Sequence, residues 1–182
     1  MWVHSESGSE SQIREMDKVL EQNVKSIADA LNDRFKHCRT IGRMKAIYGL
    51  PTLKKTVEDD VKRRARATFD GEGQSIDELF DHILIHSRSL QDHVRATFED
   101  AGAIADGDVG AQIEEQRITV QQADETLVQL LNEFRNCRAS SGNGAPSAPE
   151  IADALLNALN TPDDPRFDDE LRAISERIAA LS

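Results

Sequence analysis

The sequence predicts an all-α protein: an elongated antiparallel helical bundle of about four main helices, followed by a C-terminal pair of short helices. Three observations carry this. Apolar residues recur in steps of three and four along most of the 182 residues. No stretch bounded by turn residues alternates apolar and polar with the period of a strand. Gly- and Pro-containing segments interrupt the stripes at spacings suited to helices.

The first stripe is Ile13, Met16, Leu20, Val24, Ile27, Leu31, Phe35 and Cys38. Its steps repeat every eleven residues, close to the natural helical period, so the stripe neither drifts nor demands a left-handed supercoil. A helix over about 10–39 follows, with Gly42 a candidate bend and Gly49-Leu50-Pro51 the stop. Leu53, Val57, Val61, Ala65 and Phe69 outline a second helix over 52–69, and DGEGQ (70–74) is its turn. Ser75 and Glu78 have capping-box spacing for a third helix over 76–101, built on Ile76, Leu79, Phe80, Ile83, Leu90, Val94 and Phe98. A fourth, over 109–139, uses Ile113, Val120, Ala123, Leu127, Leu130, Phe134 and Cys137. ASSGNGAPSAP (139–149) reads as a flexible linker. Ile151, Leu155 and Leu159 then mark a short helix, and Phe167, Leu171, Ile174, Ile178 and Leu181 the seam of another. The organisation expected is a flexible tail (1–11), a bundle domain (12–138), the linker, and a C-terminal helical pair (150–182).

Aromatic residues make up only 4%. With stripes this long, that favours a bundle that completes its core by packing on a second copy, coiled-coil fashion, or on a partner protein. No apolar run approaches the roughly 18–20 residues that span a bilayer. The start MWVHSESGSES lacks the basic and apolar regions of a secretory signal, so a cytoplasmic protein is expected. Cys38 and Cys137 each fall on an apolar stripe and read as buried thiols.

HILIHSRSLQDH (82–93) holds three of the five histidines. At about 100° per residue, His82, His86 and His93 share a row on the flank of the third helix's stripe. His82 and His86 are close enough to share one ion; His93, seven residues further on, is not. A zinc site would need two more ligands from other helices. Hemerythrin-like HxxxE and HxxxxD elements are missing, since Thr97 and Phe98 follow His93 at those spacings, and no helix carries Glu-x-x-His. The row reads as an ordinary helix edge, with a metal-binding bundle through His82 and His86 as an alternative.

No phosphate loop, nucleophile elbow or Cys/His/Asn arrangement is present, and Glu125 with Gln129 is too common a spacing to indicate catalysis. Neither catalysis nor a cofactor is expected. The charge is uneven. Residues 34–66 carry +8, which leaves −19 for the rest of a chain whose net charge is −11. Such a basic island meets acidic helices, an acidic partner or a nucleic-acid backbone, though it lacks interleaved aromatics to stack on bases. The function expected is therefore non-enzymatic, an adaptor, scaffold or chaperone-like protein binding a protein partner or itself. A nucleic-acid regulator using 34–66 is the alternative, and no membrane is involved. The candidate partner-binding residues are Arg43, Lys45, Lys62, Arg63, Arg64 and Arg66 on the island, with Phe167, Leu171, Ile174 and Ile178 on the last helix.

Overall fold

The computed structural model describes residues 6–98, 109–141 and 144–181. They form an all-α, antiparallel bundle of four main helices with a C-terminal pair: α1 (Glu6–Ile47), α2 (Lys55–Thr68), α3 (Gly73–Phe98), α4 (Val109–Ser141), α5 (Ala148–Ala158) and α6 (Pro165–Ala179). α1 is the axis of the assembly. It packs on α3 and α4 along its length and on α5 at the side, while α2 lies across α3 and α4.

The eleven-residue stripe of α1 is buried from Leu20 to Cys38, but its first member, Ile13, is 54% exposed. The helix begins at Glu6, within the stretch expected as a tail. It also runs through Gly42 without interruption to Ile47. What Gly42 provides is proximity, because a Cβ there would stand 2.9 Å from the Gln91 backbone of α3. α1 ends in a Schellman turn. Gly49 adopts φ 64°, its N–H reaches Ala46 O, and Leu50 N–H reaches Lys45 O at 2.8 Å. Leu53 precedes α2 and is exposed, so the α2 stripe is Val57, Val61, Ala65 and Phe69.

The capping box forms elsewhere than expected. α3 starts at Gly73, ahead of Ser75, and Glu78 binds Gln74 and Arg177 instead. The box occurs at α5, where the Glu150 carboxylate accepts from Ser147 N–H at 2.7 Å. α6 opens with Asp164 accepting from Arg166 N–H and Pro165 at the first position.

The linker is shorter than its composition implies, since α4 continues through Ser141 and Ala145 packs against the core. α5 and α6 dock on each other, and then on α1 and α3 respectively. Ile151, Leu155, Phe167, Leu171, Ile174, Ile178 and Leu181 belong to the same apolar cluster as the α1, α3 and α4 stripes. The seam expected to meet a partner is thus covered by this chain's own bundle. Among the described residues no helix is long and apolar enough to cross a membrane.

A second, small cluster lies apart: Cys38, Ile41, Ile113 and Val120, with Met44 against it. Buried polar side chains, among them Arg34, Asp124, Ser87, Lys45 and Gln91, interrupt the interior.

Candidate active site

Four helices contribute to one cavity, and α1 and α3 place polar groups in it at positions where a bundle normally carries apolar ones. On α1, Arg34, Cys38, Ile41 and Lys45 follow one another at i, i+4, i+7 and i+11, so they share a face. On α3 the series is Leu84, Ser87, Arg88 and Gln91. α2 contributes Glu58 and Arg64, and α4 contributes Glu114, Arg117 and Gln121. All of them line one cavity of about 460 Å³, within the range of small-molecule sites.

Arg34 is 2% exposed, and its Nε and Nη1 are held by neighbouring side chains. Its Nε donates to Asp124 Oδ1 at 2.5 Å, and its Nη1 donates to Ser87 Oγ and lies 3.5 Å from Cys38 Sγ. Ser87 in turn donates to Ile83 O at 2.6 Å, which fixes its hydroxyl to accept from Arg34. Burial works against the guanidinium charge, but Asp124 outweighs it and holds the Arg34 pKa above its usual value. Burial likewise pushes the Asp124 carboxyl up against the pull of Arg34. It also raises Cys38, whose thiol stays protonated and unreactive.

Lys45 is 8% exposed. Its ammonium donates to two neutral oxygens, Thr52 O at 2.7 Å and Gln91 Oε1 at 3.3 Å. Burial, with Arg117 and Lys54 adding repulsion, lowers its pKa. The other cations are paired at the wall: Arg64 with Asp60 (2.6 Å) and Gln121 (3.1 Å), Arg88 with Glu58 (3.4 Å), and Arg117 with Glu114 (3.4 Å). With Lys54, six cations face three carboxylates around this cavity. Such a site draws an anion, and preferably one with two negative groups.

Among the residues singled out by sequence, only Lys45 and Arg64 line the cavity. Arg43 is exposed on α1. Lys62 pairs with Asp81 at 2.6 Å, Arg63 with Asp60 and Arg66 with Asp77. The basic island is therefore met mainly by acids of α2, α3 and α4. Phe167, Leu171, Ile174 and Ile178 are core residues. Arg34, Ser87, Gln91 and Asp124 were not singled out. Their signal was a polar side chain on an apolar stripe, three or four residues from buried Leu31, Ile83, Val94 and Leu127.

The histidine row differs from its expectation as well. α6 packs on the flank of α3 that carries it, so His86 is fully buried rather than at an edge. Its ring lies 4.4 Å from Phe35 and 5.6 Å from Phe167, and its Nδ1 is 3.0 Å from Glu170 Oε2. His82 is half-buried and His93 exposed, the latter ring 5.8 Å from Phe167. His4 lies outside the described residues. Among the described residues, no group of three or more His, Cys, Asp or Glu side chains is placed to hold a metal ion.

Residues 12–92 match the family model described as chorismate mutase type II. The segment is a little under half of the chain and contains Arg34, Lys45, Glu58, Ser87, Arg88 and Gln91. No match was found among the curated proteins or among the solved structures. The family match points to an enzyme. It overturns the expectation of a non-enzymatic adaptor or scaffold with a self-associating coiled coil, and with it the nucleic-acid and metal-binding alternatives. Most of the basic residues that suggested a polyanion are, in the structure, either paired or turned into a small cavity, while Lys36 and Arg43 stay exposed on α1.

Proposed function

We propose that this chain is a chorismate mutase and that the α1–α4 cavity converts chorismate to prephenate. The observation that supports this best is the coincidence of two independent facts. The segment matching the family supplies most of the cavity's lining, and the charge of that cavity suits a small dicarboxylate. Chorismate has two carboxylates, a ring hydroxyl and an enol ether joining ring and side chain.

The reaction is an intramolecular rearrangement. The ether C–O bond breaks while the side-chain methylene carbon bonds to the ring, and six electrons shift together. No proton is transferred and no covalent enzyme intermediate forms. The protein must select the folded conformer in which the two carbons approach, and stabilise the negative charge that grows on the ether oxygen. Arg34 takes one carboxylate through the Nη end that lies beside Ser87 and Cys38. Arg117 or Arg64, across the cavity on α4 and α2, takes the other. The two clamps bring side chain over ring. Lys45 and the Gln91 amide, already neighbours, bracket the ether oxygen. The ammonium meets the growing charge, while the Gln91 oxygen that accepts from Lys45 turns the amide NH2 outward. Glu58, oriented by Arg88, accepts from the ring hydroxyl. Every one of these groups comes from a single chain.

Incubation with chorismate, followed by proton NMR, tests the reading, because substrate and product are isomers that mass alone does not separate. Prephenate should accumulate far faster than in buffer, and faster than with Arg34→Ala. Conversion at the buffer rate would refute it.

A further inference from the structure

We propose that Asp124 of α4 is a positioning residue that fixes the Arg34 guanidinium for substrate capture; the inference rests on the chorismate mutase reading of the cavity. Asp124 lies outside the segment that matches the family and is not among the residues lining the cavity. It sits behind Arg34, at a second, smaller cavity of about 190 Å³ bounded by Val61, Arg64 and Val128.

The geometry divides the guanidinium in two. Its Nε side faces Asp124, whose Oδ1 accepts at 2.5 Å. Its Nη1 faces Ser87 and Cys38, both of which line the substrate cavity. A guanidinium has five N–H donors in a rigid plane, so a carboxylate gripping the Nε edge sets the direction of the far edge. Ser87 alone would leave the plane free to turn about that bond. Asp124 is itself immobilised: it is 7% exposed, on a helix packed along α1. Its other oxygen, Oδ2, is buried with no hydrogen-bond partner. A carboxylate carrying an unmet acceptor in the interior costs stability. Its single bond to Arg34 is what the position retains in return. Asp124 also balances the buried Arg34 charge, so both variants below should melt earlier than wild type, and their kinetics are to be read below the lower midpoint.

The geometric role predicts a specific pattern across two variants. Asp124→Asn keeps an oxygen to accept from Nε and loses the charge; Asp124→Ala loses both. Steady-state kinetics on chorismate would be combined with 15N NMR of the Arg34 Nε–H, assigned by its loss in Arg34→Lys. Wild type and Asp124→Asn should show a slowly exchanging Nε–H signal, and their KM values should agree within about threefold. Asp124→Ala should lose the signal and raise KM at least about tenfold, the scale of one charge-assisted hydrogen bond, with kcat changed far less. A folded Asp124→Ala with wild-type KM would overturn the proposal, as would an Asp124→Asn as impaired as the alanine variant. Should the alanine variant not fold, the absence of a protected Nε–H in wild type refutes the proposal by itself, and its presence in both wild type and Asp124→Asn supports it. The NMR arm does not depend on turnover, so a wild type that holds Arg34 rigidly yet leaves chorismate unchanged refutes the enzyme reading instead.

Discussion

Replacing Lys45 with methionine removes one charge from the cavity and little volume. At a hydrogen-bond distance of about 3 Å, a full negative charge facing the ammonium gains about 5–6 kcal/mol at an effective dielectric of about 20. Only part of a charge develops on the ether oxygen as its bond to the ring stretches. Taking roughly half leaves about 2.5–3 kcal/mol, or about 10²-fold in rate. The loss should fall on kcat, because the uncharged ether of bound chorismate gains little from the ammonium. Stability should not fall with it. Burial already disfavours the Lys45 charge, and methionine leaves only the Thr52 carbonyl and Gln91 amide to be satisfied by solvent or by each other. The same burial gives the wild type an alkaline limb. Activity needs the ammonium, so kcat/KM should decline as pH rises through a Lys45 pKa lying below 10.5, and Lys45→Met should lack that limb. Stopped assays over pH 6–11, with thermal melts of both proteins, make the test. A stably folded Lys45→Met within threefold of wild-type kcat would refute the electrostatic argument.

Three further outcomes follow from the packing. Gly42→Ala would set a Cβ 2.9 Å from Gln91 Cα and 3.1 Å from its Cβ and Cγ, costing about 1–3 kcal/mol and moving the Gln91 amide. Urea melts should show the destabilisation and kinetics a lower kcat, and an unchanged midpoint would mean that α3 yields freely. Burial, with Arg39 and Arg34 adding, lowers the His86 pKa from 6.5 to about 4. The unfolded chain then binds the extra proton in that window, so stability is whole above pH 6.5 and falls by up to about 3 kcal/mol as pH drops to about 4. Wild type should lose this increment relative to His86→Leu in denaturant titrations, and parallel pH profiles would refute it. Phe167→Ala empties a fully buried site where α6 meets His86 of α3 and should cost about 3–5 kcal/mol; a change under 1 kcal/mol in urea unfolding would mean that the C-terminal pair is not part of the cooperative unit.

The architecture was legible because helical period and burial agree. The stripe of α1 from Leu20 to Cys38 faces the core as its spacing requires, and the seam of α6 is buried to its last turn. Periodicity does not name the neighbour, though. It placed His86 on a flank without revealing that α6 covers that flank, and it took Gly42 for a bend when the residue admits Gln91 of α3. Both are contacts between residues dozens of positions apart. The capping box illustrates the opposite limit. Ser75 and Ser147 both stand three residues before a glutamate, and the competing partners of Glu78, Gln74 and Arg177, decided between them. The site was half visible. Arg34, Ser87, Gln91 and Asp124 lie on apolar stripes at helical spacing, an anomaly readable from sequence, but the charge sum over 34–66 merged Arg34 and Lys45 into one basic island.

Under the proposed reaction, the lack of a short catalytic motif in the sequence has a chemical reason. Motifs are short because nucleophiles, bases and metal ligands must meet within a few ångströms, often from one loop or one helix. A rearrangement that transfers no proton and forms no enzyme bond makes no such demand. It needs charges spaced around a molecule, and four helices supply them singly, several turns apart. That solution has a structural cost, since the centre of the bundle then holds Arg34, Lys45, Ser87 and Gln91 where apolar residues would pack. Ile41, Ile113 and Val120 are left as a small separate cluster. The C-terminal pair answers this where it packs on α1 and α3, and Leu155, Phe167, Leu171, Ile174 and Ile178 extend the main cluster. Each fully buried side chain of this kind contributes roughly 1.5–3 kcal/mol. On this argument α5 and α6 offset a polar cavity, and the stripe that looked like a surface for another protein belongs to the energetics of that cavity.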